Sequence, residues 1–75
     1  MTVYTVRGKV DAKDCPPLVE RGAEGPHILT TDFDDLDGAL AHYESAKTDF
    51  PGEWSVWESE INHHTRVVDL HKVAP

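Results

Sequence analysis

Histidines and carboxylates are the side chains of this 75-residue chain that could bind a metal or transfer protons. His63 and His64 are adjacent, and His71 follows them in the next predicted strand. No Cys-x-x-Cys or His-Glu-x-x-His spacing accompanies them, and such spacings are typical of zinc sites. The histidines therefore predict a polar turn and one strand-face side chain, with no intrinsic metal and no cofactor.

The run Asp32–Gly38 has the composition of a calcium-binding loop. Such a loop needs oxygen ligands at alternate positions, and Leu36 occupies one of them. Asp34 and Asp35 lie where a helix is predicted to begin, and carboxylates at that place accept hydrogen bonds from unpaired backbone N–H groups. The run favours helix capping over calcium binding.

The sequence shows no arrangement typical of covalent catalysis. Cys15 is the only thiol, two prolines follow it, and its nearest cation, Lys13, lies in the same predicted loop, whereas a reactive thiolate needs a positioned cation or a helix N-terminus. Glu58 and Glu60 point to the same side of one strand and could act as paired carboxylates. A solvated strand face explains their placement equally well. We expect no catalytic residue and no enzymatic activity; a small enzymatic or metal-binding domain that uses histidines and carboxylates is the alternative.

The charge of the chain is concentrated in one stretch. Residues 32–60 contain nine carboxylates and one cation, a net charge of −8, while the whole chain carries −7. A field of this sign disfavours nucleic acids and anionic membranes and favours a protein partner with a basic or nucleic-acid-binding surface. The predicted acidic surface consists of Asp32, Asp34, Asp35, Asp37 and Glu44.

The elements that must position these residues can be predicted from periodicity. Alternation predicts a strand over Thr2–Val10, with Gly8 as a bulge, and a short strand over residues 27–31. Two prolines and two glycines predict that residues 11–25 form a loop. An apolar stripe predicts a helix over residues 34–48, and two strands over residues 53–61 and 66–73 enclose a polar turn.

These elements predict a single α+β domain over residues 1–75, in β-β-α-β-β order, with one helix on one face of a small antiparallel sheet of three to four strands. Any antiparallel register in which the numbers of two paired residues add up to an odd number places Trp57, Ile61, Val68 and Leu70 on one face. We expect this face to lie under the helix. The predicted core is Tyr4, Val6, Leu36, Leu40, Tyr43, Trp57, Val68 and Leu70. The opposite face is predicted to contact a partner through Trp54, Val56, Glu58, Glu60, Val67, Asp69, His71 and Val73, unless Leu18 and Val19 of the loop fold over it.

Three segments of the chain are considered together: residues 33–43, the stretch Trp54–Glu58 and the stretch Arg66–Leu70. They resemble small, acidic accessory proteins of bacteriophages that infect actinobacteria. The resemblance implies a viral accessory role, such as binding and altering a host protein, and it carries over no catalytic residue. With one cysteine, no apolar run long enough to span a membrane and no signal-peptide pattern, we expect a location in the cytoplasm, that of the host if the protein is viral.

We therefore expect a non-enzymatic protein-interaction module that uses an uncovered sheet face and an acidic surface. A homodimeric structural module is a further alternative, because a second copy of the chain could cover the open face through a two-fold axis.

Overall fold

A computed structural model describes residues 1–61 and 67–74 of the chain, with side chains described over residues 1–61 and 70–74. The fold is α+β, as predicted: a four-stranded antiparallel sheet with one main helix on one face. The elements in chain order are β1 (Thr2–Asp11), a 3-10 turn (Ala12–Asp14), α1 (Pro16–Glu20), β2 (Pro26–Phe33), α2 (Leu36–Asp49), β3 (Gly52–Ile61) and β4 (Val67–Ala74).

The sheet has the strand order β2-β1-β3-β4. Strands β2 and β3 both pair antiparallel with β1, so they run parallel to each other, and α2 connects them across β1. Val6, near the middle of β1, pairs with Thr31 on one side and with Val56 on the other. The molecule is 38 × 23 × 16 Å in extent, and the smallest dimension is that of one sheet with one helix layer.

Helix α2 begins and ends close to the predicted positions. Its N-cap is Asp35, whose carboxylate accepts a hydrogen bond of 2.8 Å from the Gly38 backbone N–H. Lys47 lies in the last turn, where a cation stabilises the negative end of the helix dipole. The aspartate run therefore caps a helix, as predicted.

The core forms where α2 packs on β1 and β3. Its buried members are Val6, Ala39, Tyr43 and Val56, and the small side chain of Ala39 lets the helix lie close to the sheet. Of the predicted core, Tyr4, Val6, Leu40 and Tyr43 are confirmed, and Leu36 is half-buried outside the central cluster. The side chain of Val68 lies outside the described residues.

The predicted orientation of the β3-β4 hairpin is wrong. Ser59 pairs with Leu70, so Trp57 and Leu70 do share one face, but that face points away from α2, and Leu70 is 55% exposed. Pairing of Val6 with Val56 directs Val56 and Trp54 toward the helix instead. Val56 is completely buried and Trp54 packs against the core, so neither belongs to the uncovered face.

Gly8 explains why this orientation is favoured. It pairs with Trp54, and a Cβ atom at residue 8 would lie 2.5 Å from Trp54 ring carbons. The indole therefore covers the space left by the missing side chain, and β1 and β3 remain in continuous register through Gly8, where a bulge was predicted. The Nε1 atom of Trp54 donates a hydrogen bond of 2.8 Å to the Phe50 carbonyl, which fixes the ring.

The segment predicted as a loop contains a 3-10 turn and the short helix α1. Pro16 and Pro17 occupy the first two helical positions, where a missing N–H costs nothing, so the prolines start a helix that they were predicted to exclude. The segment is closed by a hydrogen bond of 2.9 Å from the Ala12 N–H to the Gly25 carbonyl. Of the two residues predicted to fold over the sheet, Val19 is 52% exposed and so does not pack on it, and Leu18 is half-buried.

Candidate interaction surface

One side of the sheet faces away from α2, and we call it the uncovered face. Side chains alternate across each strand, so the pairing of the strands defines which residues share this side. They are Val3, Thr5, Arg7, Lys9 and Asp11 of β1; Pro26, Ile28, Thr30 and Asp32 of β2; Glu53, Ser55, Trp57, Ser59 and Ile61 of β3; and Leu70 and Lys72 of β4.

Trp57 lies near the centre of the uncovered face. Its Nε1 atom donates a hydrogen bond of 2.9 Å to the Ser55 hydroxyl, and the Lys72 ammonium lies 5.8 Å from the centre of its ring system. Ser55 and Ser59 are buried beneath larger neighbours although they lie on this face. Larger apolar side chains therefore lie above small polar ones, so this face is not uniformly polar.

A shallow groove of about 310 Å³ runs across this centre. The indole of Trp57 and the side chain of Leu70 supply much of its apolar surface, because both project from neighbouring strands. Thr5, Arg7 and Ser59 complete the lining, and Arg7 is exposed. The groove therefore combines an aromatic ring, an aliphatic group and a guanidinium, and aromatic and arginine side chains are enriched in protein contacts.

The uncovered face carries three cations and three carboxylates among its described residues. The cations are Arg7, Lys9 and Lys72, and the carboxylates are Asp11, Asp32 and Glu53. Asp32 accepts a hydrogen bond of 2.7 Å from the Thr5 hydroxyl. The described residues of this face are thus balanced in charge, on a chain whose net charge is −7.

The predicted acidic surface is divided by the sheet. Asp34, Asp35 and Asp37 are exposed at the start of α2, and Glu44 is exposed two turns further along, where it forms an ion pair of 3.2 Å with Lys47. These four carboxylates lie on the helix side. Asp32, the fifth predicted member, belongs to the uncovered face because it pairs with Thr5.

Glu58, Glu60 and His71, predicted on the contact face, lie on the same side of the sheet as α2. The His71 Nε2 atom and the Glu58 Oε1 atom are 3.2 Å apart. Glu60 accepts a hydrogen bond of 2.7 Å from the Met1 ammonium and another of 2.7 Å from the Thr2 hydroxyl, and these two bonds lower the pKa of its carboxyl.

The remaining predicted contact residues are in β4. Val73 is 37% exposed at a shift in register, where Val56 pairs with Ala74 and Trp57 with Lys72, so Val73 is the extra residue of a bulge. The side chains of Val67 and Asp69 lie outside the described residues.

Tyr4 offers a test of the helix side of the sheet. Desolvation, and then the charge of Glu58, raise the pKa of the Tyr4 phenol above its usual value. Because the folded-state pKa is the higher one, Tyr4 contributes stability that is present below the unfolded pKa of about 10 and is lost as the pH rises through the folded value. We expect Glu58→Gln to lower the Tyr4 pKa, measured by NMR titration of the ring carbons. An unchanged Tyr4 pKa in this variant would contradict the described proximity.

No group of three or more histidine, cysteine, aspartate or glutamate side chains that could hold a metal is found within residues 1–61 and 70–74. His63 and His64 lie outside the described residues, so the absence of an intrinsic metal stays a prediction. Cys15 is buried, which limits access to its thiol. In the part of the chain that is described, no helix is both long enough and apolar enough to cross a membrane.

Comparison with protein-family models, curated proteins and solved structures finds no match to this chain. The uncovered face is therefore interpreted from its own geometry. The prediction placed Trp57 and Leu70 under the helix, and the signal that would have corrected it is the pairing of Gly8 with Trp54.

Proposed function

We propose that this domain is a non-enzymatic protein-interaction module whose partner docks on the uncovered face. The observation that carries the proposal is Trp57, half-exposed at the centre of a sheet surface that no element of the described chain covers. Tryptophan is prominent among the energetic anchors of protein contacts, especially where it lies in a groove surrounded by polar groups. Thr5, Arg7 and Ser59 supply such surroundings here.

The charges of the face indicate the chemistry of the partner. Arg7 lines the groove beside Trp57, and the Lys72 ammonium lies 5.8 Å from the centre of the Trp57 ring, so a partner surface with an apolar centre and carboxylates near these two cations is complementary. The four carboxylates along α2 repel the same partner on the opposite side of the molecule. Together the two sides would orient an acidic partner toward the uncovered face.

A homodimer is the second candidate, and it uses the same surface. The face contains carboxylates, Asp32 and Glu53, as well as the three cations, so two copies related by a two-fold axis can pair opposite charges. A chain of 75 residues also gains stability from association, because a small domain buries a small share of its unfolded surface. The mass of the domain in solution distinguishes this candidate from a foreign partner.

The proposed cellular location of this protein rests on its sequence. The resemblance to accessory proteins of actinobacteriophages supports binding to a host protein in the host cytoplasm. The single cysteine, which is unpaired and buried, is consistent with a reducing compartment.

Parallel affinity capture with two variants tests the proposal. Trp57→Ala removes the centre of the uncovered face, and Val19→Ala removes an exposed apolar group on α1. We expect a protein that is retained by the parent and by Val19→Ala and is lost with Trp57→Ala, each bait being folded by circular dichroism. The loss should be a factor of about 30 or more in affinity, as for an interfacial tryptophan anchor. Equal retention by Trp57→Ala and the parent would contradict the proposal.

A further inference from the structure

A second concave site lies on the helix side of the sheet, and we call it the β2–α2 cleft. Helix α2 packs mainly on β1 and β3 and less closely on the edge strand β2. This offset leaves an open space of about 340 Å³ between β2 and the C-terminal half of α2. A volume of this size is at the lower end of the range of small-molecule sites.

The floor of the cleft is apolar and held in place. Leu29, Phe50 and Trp54 contribute to it, and all three are half-buried. The Trp54 indole is fixed by its hydrogen bond to the Phe50 carbonyl and by its packing over Gly8. An aromatic or aliphatic body can therefore lie against preformed walls, which reduces the ordering cost of binding.

The rim of the cleft favours a positive charge. Asp49 and Ser45 line it, both are exposed, and His42 lies beside them on the same helix. Asp49 is the last residue of α2, where the carboxylate adds to the negative end of the helix dipole. None of the residues that line the cleft is a lysine or an arginine.

We infer that the β2–α2 cleft binds an organic cation, namely an ammonium or guanidinium group on an apolar stem. The stem lies along Phe50 and Trp54, and the charged group lies between the Asp49 carboxylate and the Ser45 hydroxyl. The aromatic walls add a cation–π contribution. The same chemistry can come from a free arylalkyl amine or from a basic side chain of a protein, and the site is distinct from the uncovered face.

Three matched probes test the charge requirement: phenethylammonium, the neutral phenethyl alcohol and the anionic hydrocinnamate. We expect phenethylammonium to shift the NMR signals of Ser45, Asp49 and the Trp54 indole in a saturable way. The neutral and anionic probes should bind on the order of tenfold more weakly or not at all. Equal binding of the alcohol, or shifts that avoid these three residues, would overturn the inference.

Asp34, Ser45 and Asp49 are exposed, so substitutions there should keep the fold. Asp49→Asn removes the rim charge and should weaken phenethylammonium binding on the order of three- to tenfold, while Asp34→Asn makes the same charge change away from the cleft and should leave it unaltered. Ser45→Trp should fill the cleft and abolish binding. Equal weakening by Asp34→Asn and Asp49→Asn would reduce the effect to general electrostatics and overturn the site.

Capped lysine and arginine amides identify the source of the ligand. If either one binds as tightly as phenethylammonium and loses affinity in Asp49→Asn, the cleft accepts a basic side chain of a protein. If only phenethylammonium does so, it accepts a free amine. Both results support the inference, and absence of binding by all three cations contradicts it. None of these variants changes Trp57, so these results are independent of partner capture by the uncovered face.

Discussion

Trp54→Glu is expected to unfold this domain, whereas Trp57→Glu is expected to leave it folded. The two tryptophans are three residues apart on β3, but they lie on opposite faces of the sheet. Trp54 is half-buried against the core beneath α2, and replacing a large aromatic side chain packed on a core with a small one costs up to about 3–5 kcal/mol, before the cost of placing a carboxylate there is added. A domain of this size rarely has a larger margin of stability.

The Trp57 variant should lose about 1 kcal/mol, because its carboxylate can remain in water at the groove. Urea unfolding followed by far-ultraviolet circular dichroism measures both variants independently of tryptophan fluorescence. The reverse order of stabilities would show that the hairpin presents Trp57 to the helix, as the sequence had predicted, and would remove the basis for the uncovered face.

Gly8→Ala and Gly52→Ala are expected to destabilise the domain by about 1–3 kcal/mol each. The added methyl group meets different atoms at the two positions. At residue 8 the added methyl group meets ring carbons of Trp54 at 2.5–2.6 Å, so the indole must move. At residue 52 the methyl group meets the Lys9 carbonyl, so the backbone of β1 must shift. Neither position has room for the smallest side chain.

Lys9→Ala is the control, since it changes an exposed residue of the same strand and should alter the free energy of unfolding by less than about 0.5 kcal/mol. Replacing Trp54 by the smaller phenylalanine should reduce the cost of Gly8→Ala, which a double-mutant cycle measures. Additive effects of Gly8→Ala and Trp54→Phe would show that the glycine does not accommodate the indole.

The architecture could be predicted from the sequence because its signals are local. The stripe of α2, its N-cap at Asp35 and the alternation of β1 are properties of short segments, and the observed elements agree with them. The relative phase of the hairpin is as predicted from Trp57 to Glu60, where Trp57 and Leu70 share a face, and it shifts at both ends of that stretch. Among the local signals, Gly8 and the prolines of α1 were misinterpreted, because Gly8 pairs in register and the place of the prolines depends on where α1 begins.

The face that the hairpin presents to the helix could not be predicted from β3 alone. The strand carries apolar groups on both sides, Trp54 and Val56 on one and Trp57 and Ile61 on the other, so its pattern does not choose between them. The choice is made by tertiary fit. Gly8 makes room for Trp54, and the small side chains of α2 make room for Val56.

The candidate site followed from this choice, so its members were largely misassigned. Val56 is buried and Trp54 belongs to the core, while Glu58, Glu60 and His71 lie on the helix side. The prediction that one face stays uncovered rested on a simpler argument, that one helix can cover only one side of a sheet. The observed fold agrees with it.

Mapping the contact on the isotopically labelled domain tests the proposed role of the uncovered face most directly. Spectra of the domain are recorded with and without the captured partner, or across a concentration series if the domain self-associates. We expect the largest changes at Thr5, Arg7, Leu70 and the Trp57 indole. Changes confined to the acidic side of α2, at Asp34, Asp37 and Glu44, with the Trp57 signal unaltered, would contradict the account.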